Sequence, residues 1–393
     1  MKELVYSNNK KTVVGITDKQ IQHVIIPFGV EIIGENAFEN CFNLVSVDIP
    51  SSVTTIGNKA FSGCHSLLEV DLPNSINYIG QEAFSCCSSL RIIDMPDSIT
   101  YLGASAFWGC SKLKRVILPD SIKGIEKGCF AGCRSLEHVE MPKGISIISK
   151  SAFQGCDGLD YIEIPDSVRI IDDYAFERAG LYDVEIPDGV LEIGKFAFCD
   201  CQGLHDVYLP TSLKTIGNCA FSGTSIRQFD IPQNVESIGD GALDSLFSEN
   251  ISVDVQNHHF KSIDGVLYNG NGDTLIKVPC RFGKTNFSIS NKVKCIGKDA
   301  FMYTSISEIE IPDSIVMINS GSFIIEKLKA IYSNIRDLDK VQIAQDSFSN
   351  AELEEFGFGL KFNSCILYVP SGTRWAYKHH SVFGKFKNIQ IKE

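Results

Sequence analysis

From Leu67 to Cys87 the chain reads LLEVDLPNSINYIGQEAFSCC, and its apolar positions change rhythm along the way. In LLEVDLP, inward Leu67, Val70 and Leu72 are interleaved with outward Glu69 and Asp71, which predicts a short half-exposed strand. Pro73 ends that strand, and PNSI predicts a turn. Asn77–Ile79 predicts a second short extended piece. QEAFSCC is too short for a full helix and predicts one helical or 3₁₀ turn that packs its Ala-Phe pair inward.

The same unit recurs along most of the chain. Prolines fall at 27, 50, 73, 96, 119, 142 and 165, each 23 apart, then at 187, 210 and 232 after steps of 22, 23 and 22. Phe38, Phe61, Phe84, Phe107, Phe130, Phe153, Phe176, Phe198 and Phe221 keep the same step; Leu243 fills the next slot, and Phe301, Phe323 and Phe348 resume it. A glycine recurs at 34, 57, 80, 103, 194, 217, 239 and 297, with Asp172 and Asn319 in its place elsewhere. That exchange predicts a positive φ, a reading that Glu126 and Ser149 fit poorly.

One unit cannot bury its own apolar face. Stacked units can, by joining strands into parallel sheets around a continuous Leu/Ile/Phe interior. The ends of such sheets need covers. LVYSNNKKTVVGI predicts a hairpin around SNNKK, and IDGVLYNGNGDTLIKVP a second around NGNGD. The regions expected are a capping hairpin over 1–20, a repeat array over 21–248, an insertion with a β-hairpin over 249–286, a resumed array over 287–350 and a C-terminal cap over 351–393. Within that cap, Cys365–Ile391 predicts strand, helix and strand.

Seven cysteines belong to the pattern: Cys41, Cys64, Cys87, Cys110, Cys133, Cys156 and Cys201 each lie three residues after the repeat phenylalanine and three before the repeat leucine. Units without it, ERAGL, SGTSI and MYTSI, are one residue shorter there and carry Ala179, Thr224 or Thr304. A small, weakly polar group fitted to the longer turn explains this exchange, and a redox or metal role does not. Free cysteine packs readily as a small hydrophobe, so these thiols are expected reduced and buried. Side chains stacked in one direction make poor disulfide geometry. No paired C-x-x-C spacing for zinc occurs.

The unit L-x-x-V-x-I-P-x-S-V-x-x-I-G-x-x-A-F-x-G-C resembles the BspA-like leucine-rich repeat, and residues 44–64, LVSVDIPSSVTTIGNKAFSGC, match it almost throughout. SIDGVLYNGNGDTLIKVP and LYVPSGTRWAYKHHSVFGKFKNI resemble segments that accompany these repeats in bacterial members. The resemblance implies a β-rich solenoid, a leucine-rich-repeat right-handed superhelix of about thirteen stacked 22/23-residue units with short parallel strands. It further implies a surface protein of the kind found on mouth and gut anaerobes, with adhesion or host-protein binding as its role. The N-terminus shows no apolar signal region, so the expectation is either cytoplasmic residence or a trimmed chain.

Composition adds exclusions. Hydrophobic residues make up 44% and charged residues 21%, enough for a large core. The net charge of -12, with no Lys/Arg cluster, argues against nucleic acid and anionic membranes. No apolar run reaches the roughly 18 residues of a membrane span. No nucleophile elbow, P-loop or zinc-protease motif occurs, and no cofactor or metal site is expected. His258-His259 and His379-His380 are adjacent pairs that point apart and chelate poorly.

One outward strand position is nearly uniform in charge. Asp48, Asp71, Asp94, Glu140, Glu163, Glu185, Asp230 and Glu310 occupy it, with Ile117 and Tyr208 as apolar interruptions. A second outward column, running from His23 to Gln228, is mixed. Solvated strand positions would accept such charge without any function; a stripe that binds a protein partner would require it. In-register stacking would place like charges about 4.8 Å apart. The expected function is non-enzymatic protein–protein interaction or adhesion through this face. The alternatives are a carbohydrate-processing or other enzyme accessory, with a site in the 249–286 insertion or the C-terminal cap, and a structural spacer.

Overall fold

The structure is a computed structural model that describes residues 4–348 and 362–392. The first residues of the expected N-terminal cap (1–3), the end of the resumed array (349–350), and the start and last residue of the expected C-terminal cap (351–361 and 393) lie outside the described residues. The chain forms two compact units, Met1–Thr224 and Ser225–Glu393. Each is a β-solenoid whose coils carry short strands, paired in parallel from coil to coil.

In the first unit the coils stack three kinds of segment on their neighbours, with one break at residues 160–164. The strand before the proline supplies one ladder, including His23–Ile25, Ser46–Asp48, Arg115–Ile117 and His138–Glu140. The two-residue strand after it supplies another, including Ile32–Ile33, Thr55–Ile56, Tyr78–Ile79 and Tyr101–Leu102. Between them the proline carbonyl closes a turn, as in Ile76 N–H to Pro73 O at 3.0 Å. The serine of that turn reaches across coils: Ser98 donates to Ile76 O and Ser121 to Ile99 O, both at 2.6 Å.

The Ala-Phe segment is not helical. Its amides alternate between two partners. Ala60, Ser62 and Cys64 donate back three residues to Gly57, Lys59 and Phe61, whereas Lys59, Phe61 and Gly63 donate to Gln81, Ala83 and Ser85 of the next coil. A helix would keep all these bonds local; here every second one is spent on stacking. The alternation needs left-handed residues at Lys59 (φ 54) and Gly63 (φ 75), and the equivalents recur at Glu82, Cys86, Ser105 and Gly109.

The repeat glycines have a different role from the positive φ expected of them. Gly34, Gly57, Gly80 and Gly103 are not left-handed. A Cβ at Gly103 would lie 2.4 Å from the backbone nitrogen of Gln81, so these glycines permit close approach of adjacent coils.

The interior is a set of columns. Phe38 through Phe221 are fully buried, and consecutive rings stack with centroids 5.2–5.7 Å apart and planes within 14°. Burying each ring contributes roughly 1.5–3 kcal/mol, and aromatic pairing adds about 0.5–1.5 kcal/mol per contact. The ladder cysteines are buried and unpaired as disulfides. Each Sγ–H from Cys64 to Cys156 donates to the phenylalanine carbonyl of the preceding coil, as Cys64 to Phe38 at 3.2 Å and Cys110 to Phe84 at 3.1 Å. Thr224, in a shortened turn, instead bonds its own coil's Phe221 carbonyl at 2.9 Å. Burial pushes the Cys64 thiol up to about 12 and raises those of Cys87 and Cys133 well above their ordinary value.

The N-terminal hairpin forms as expected: Leu4–Tyr6 and Thr12–Ile16 pair antiparallel, and the latter pairs in parallel with Ile32–Ile33. In the second unit Phe260–Ile263, Val266–Asn269 and Thr274–Lys277 form three antiparallel strands, and Thr274–Lys277 pairs in parallel with Cys295–Ile296. Both hairpins thus dock on the post-proline strand of the coil that follows. Buried Lys277 forms an ion pair with Asp244 and donates to Asp299 O at 3.0 Å, tying the insertion to its own unit. Ile366–Val369, helix Arg374–His379 and Asn388–Ile391 give the expected strand, helix and strand, with the two strands in parallel. The described residues make about 16 turns in the two units together, more than the thirteen read from prolines and phenylalanines. Strands such as Asn250–Val253 and Asn388–Ile391 join the ladders without carrying that pattern.

Candidate protein-interaction face

The pre-proline strand exposes alternate side chains because its valine or isoleucine faces the core: Val116 and Val139 are buried between exposed neighbours. The acidic column lies on this exposed side, but not as an unbroken stack of like charges. Where strand pairing fixes the register, each acid faces a neutral residue. Asp48 faces Ile25, Glu140 faces Ile117, and Glu185 faces Tyr208. In the second unit Asp230 faces Ser252, and Glu310 lies between Ser288 and Tyr332. Asp71, Asp94 and Glu163 lie outside the paired strands. The like-charge pair in register is Asp183 with Asp206, in the column read as mixed.

Half of the column has polar partners. Asp48 lies 3.5 Å from the His23 ring, and Glu140 lies 3.0 Å from His138 and 3.8 Å from Arg115. Asp230 accepts from Gln228 at 3.0 Å and from Ser252. Glu310 accepts from Lys392 at 2.9 Å and Asn334 at 3.1 Å, bonds that hold its carboxyl below the usual carboxylate range. Among the described residues, Asp71, Asp94, Glu163 and Glu185 have no hydrogen-bond or ion-pair partner.

The first unit's face also has a break that the repeat pattern does not announce. Residues 160–164 carry no strand assignment, although they occupy the pre-proline position of their coil. Their amides donate to no backbone carbonyl among the described residues, while the Asp160 carbonyl still accepts from Tyr182 at 2.9 Å. The coils are therefore joined at Asp160 and part beyond it. Two clefts flank the parted rung. One, of about 460 Å³, lies toward His138, Glu140 and Lys143; the other, of about 740 Å³, lies toward Asp183, Glu185 and Tyr208. Glu163 borders both, whereas Glu140 and Glu185 border one each. Tyr161 is 60% exposed and Tyr208 63%.

The histidine pairs lie elsewhere. His258 and His259 border an open cleft of about 540 Å³ in the second unit with Gln233, Asn234 and Glu236, and its rim residue Val255 is 98% exposed. Buried Asn257 sets that loop: it donates to the Pro232 and Val235 carbonyls and accepts from the amides of His259 and Phe260. His379 stacks on exposed Trp375 at 4.3 Å, whereas His380 accepts from the amides of Val382 and Phe383, and burial lowers its pKa. Among the described residues no three His, Cys, Asp or Glu side chains are grouped to hold a metal ion, and no helix is long and apolar enough to cross a membrane.

A family model described as BspA type Leucine rich repeat region (6 copies) matches residues 17–137, 123–250 and 281–368. A leucine-rich repeat protein from Bacteroides ovatus has a similar structure, with a TM-score of 0.66 at 24% identity, over 100% of this chain and 99% of that one. A leucine rich cell surface protein from Faecalibacterium prausnitzii aligns at TM-score 0.41 and 24% identity, over 99% of this chain and 93% of that one. The comparison with curated proteins gives no match.

Proposed function

Because this chain belongs to the BspA-type leucine-rich repeat family, we propose that it is a non-enzymatic interaction scaffold that presents its pre-proline strand face to a protein partner. The observation that carries this reading is the composition of the face. Ile25, Ile92, Tyr161, Tyr182 and Tyr208, all more than half exposed, stand among its carboxylates. Exposed aromatic and aliphatic side chains framed by charge are the usual makeup of a recognition surface. A spacer would require only solvated side chains there. Adhesion at a cell surface is the role we extend from the family.

The test is capture of partners from bacterial or host extracts with the native chain and with Glu140, Glu163 and Glu185 all changed to Gln. The scaffold reading expects a salt-sensitive partner to be lost from the variant. Partners unchanged in identity and in salt dependence would remove this face from consideration.

A further inference from the structure

The parted rung at 160–164 has three properties that no other pre-proline strand of the first unit combines. Five consecutive amides lack backbone partners, a cleft opens on either side, and the larger cleft is acidic without a basic lining residue. Glu163, Asp166, Asp183, Glu185 and Asp188 border that cleft between Tyr161 and Tyr208. The nearby Arg169 guanidinium does not neutralise them through an ion pair; it donates to the carbonyls of Asp166 and Val168. The carboxylates are spread around about 740 Å³, and no three of them are grouped to hold a metal ion. A diffuse negative wall with tyrosine faces suits a side-chain cation, a guanidinium or an ammonium, either of which can lie over a ring face. Unpaired amides along an extended rung suit the carbonyls of a second extended backbone.

We propose that this rung docks an extended, basic peptide segment of a partner protein. Its lysine or arginine side chains enter the cleft bounded by Glu163, Asp183 and Glu185, and its carbonyls accept from those alternate amides of 161–164 that face this cleft. The proposal rests on the scaffold reading and gives it a location and a chemistry. Side chains two apart on the peptide would project to the same side, so alternate residues would be basic.

A fluorescent peptide of about ten residues, alternating lysine and threonine, tests this by anisotropy with the full chain. Saturable binding is expected, weakened roughly tenfold, or by about 1.4 kcal/mol, in Asp183→Asn/Glu185→Gln. Hydrogen exchange at residues 161–164 should slow when the peptide binds. An unchanged affinity in the variant, or unchanged exchange at these amides, overturns the proposal. So does displacement by spermine at equal charge, which would show only a polycation in a negative field. A matched native fold is checked by equal thiol protection in variant and native chains. If extract partners depend on the column but this peptide fails, the inference falls while the scaffold reading stands; if extract partners ignore the column, that reading falls.

Discussion

The inner and outer sides of one coil obey different rules. Inside, Phe84, Phe107 and Phe130 repeat the same residue with rings 5.3 and 5.6 Å apart, and Cys87, Cys110 and Cys133 repeat the same thiol. Outside, over the corresponding rungs, the second exposed column reads Ile92, Arg115 and His138. Close packing admits one solution at each interior position and transmits it from coil to coil. Solvent imposes no such uniformity. Identity along the interior therefore reports the fold, and departures from identity on the outside report what differs between rungs, including any site.

The widest separation between the sides is expected in alkali. An unfolded thiol ionises near 9.0, whereas burial holds Cys64 protonated up to about 12. Above the first value the unfolded chain releases protons that the folded chain keeps, so stability falls as pH rises through this window. The slope is about 1.4 kcal/mol per pH unit for each such thiol. Several ladder thiols share the upward shift, so cooperative loss of structure between pH 9 and 12 is expected by circular dichroism. Thiol labelling at neutral pH should leave them protected until denaturant is added. Rapid labelling of the whole ladder in the native state would show that the interior column is not closed.

Aromatic truncation should separate the sides next. Phe107→Ala removes a fully buried ring stacked on both faces and should cost about 3–5 kcal/mol in urea unfolding. Tyr208→Ala, at a side chain 63% exposed, should stay within about 0.5 kcal/mol. Comparable losses would break the distinction between the two sides.

How much could be read without coordinates follows the same division. The solenoid, the inward phenylalanines, the buried thiols and both hairpins were legible because each leaves a periodic or turn-forming mark. The stacked turns were misread as helical because the left-handed positions Lys59, Glu82 and Ser105 share no residue type. The repeat glycines were assigned to torsion when they serve proximity, two demands that the same residue meets. Alternation placed the acidic residues on the outward side of the pre-proline segments, but it did not show that Asp71, Asp94 and Glu163 lie outside paired strands or which residues face the others. YIEIP at 161–165 has the same alternation as EVDLP at 69–73, yet only the latter contains a paired strand. Pairing depends on the position of adjacent coils, which alternation does not encode.

The smallest expected effect tests whether charge on the face is structural. Two unit charges one strand apart repel by roughly 0.9 kcal/mol at the dielectric of water, and salt screens much of that. The column relieves part of the cost by placing neutral residues opposite Asp48, Glu140 and Glu185. Glu140 also lies within ion-pair distance of His138 and Arg115, while Glu163 and Glu185 make no ion pair among the described residues. Changing all three to Gln should therefore remove the weak attractions of Glu140 and a set of weak repulsions, leaving stability higher by only a few tenths of a kcal/mol. The gain should shrink as salt is added, since only the native chain is relieved by screening. Urea unfolding at low and at physiological salt reads both quantities. A loss above about 1 kcal/mol would mean that these carboxylates hold the coils together, and the parted rung would then be a consequence of fold energetics rather than a surface kept for a partner.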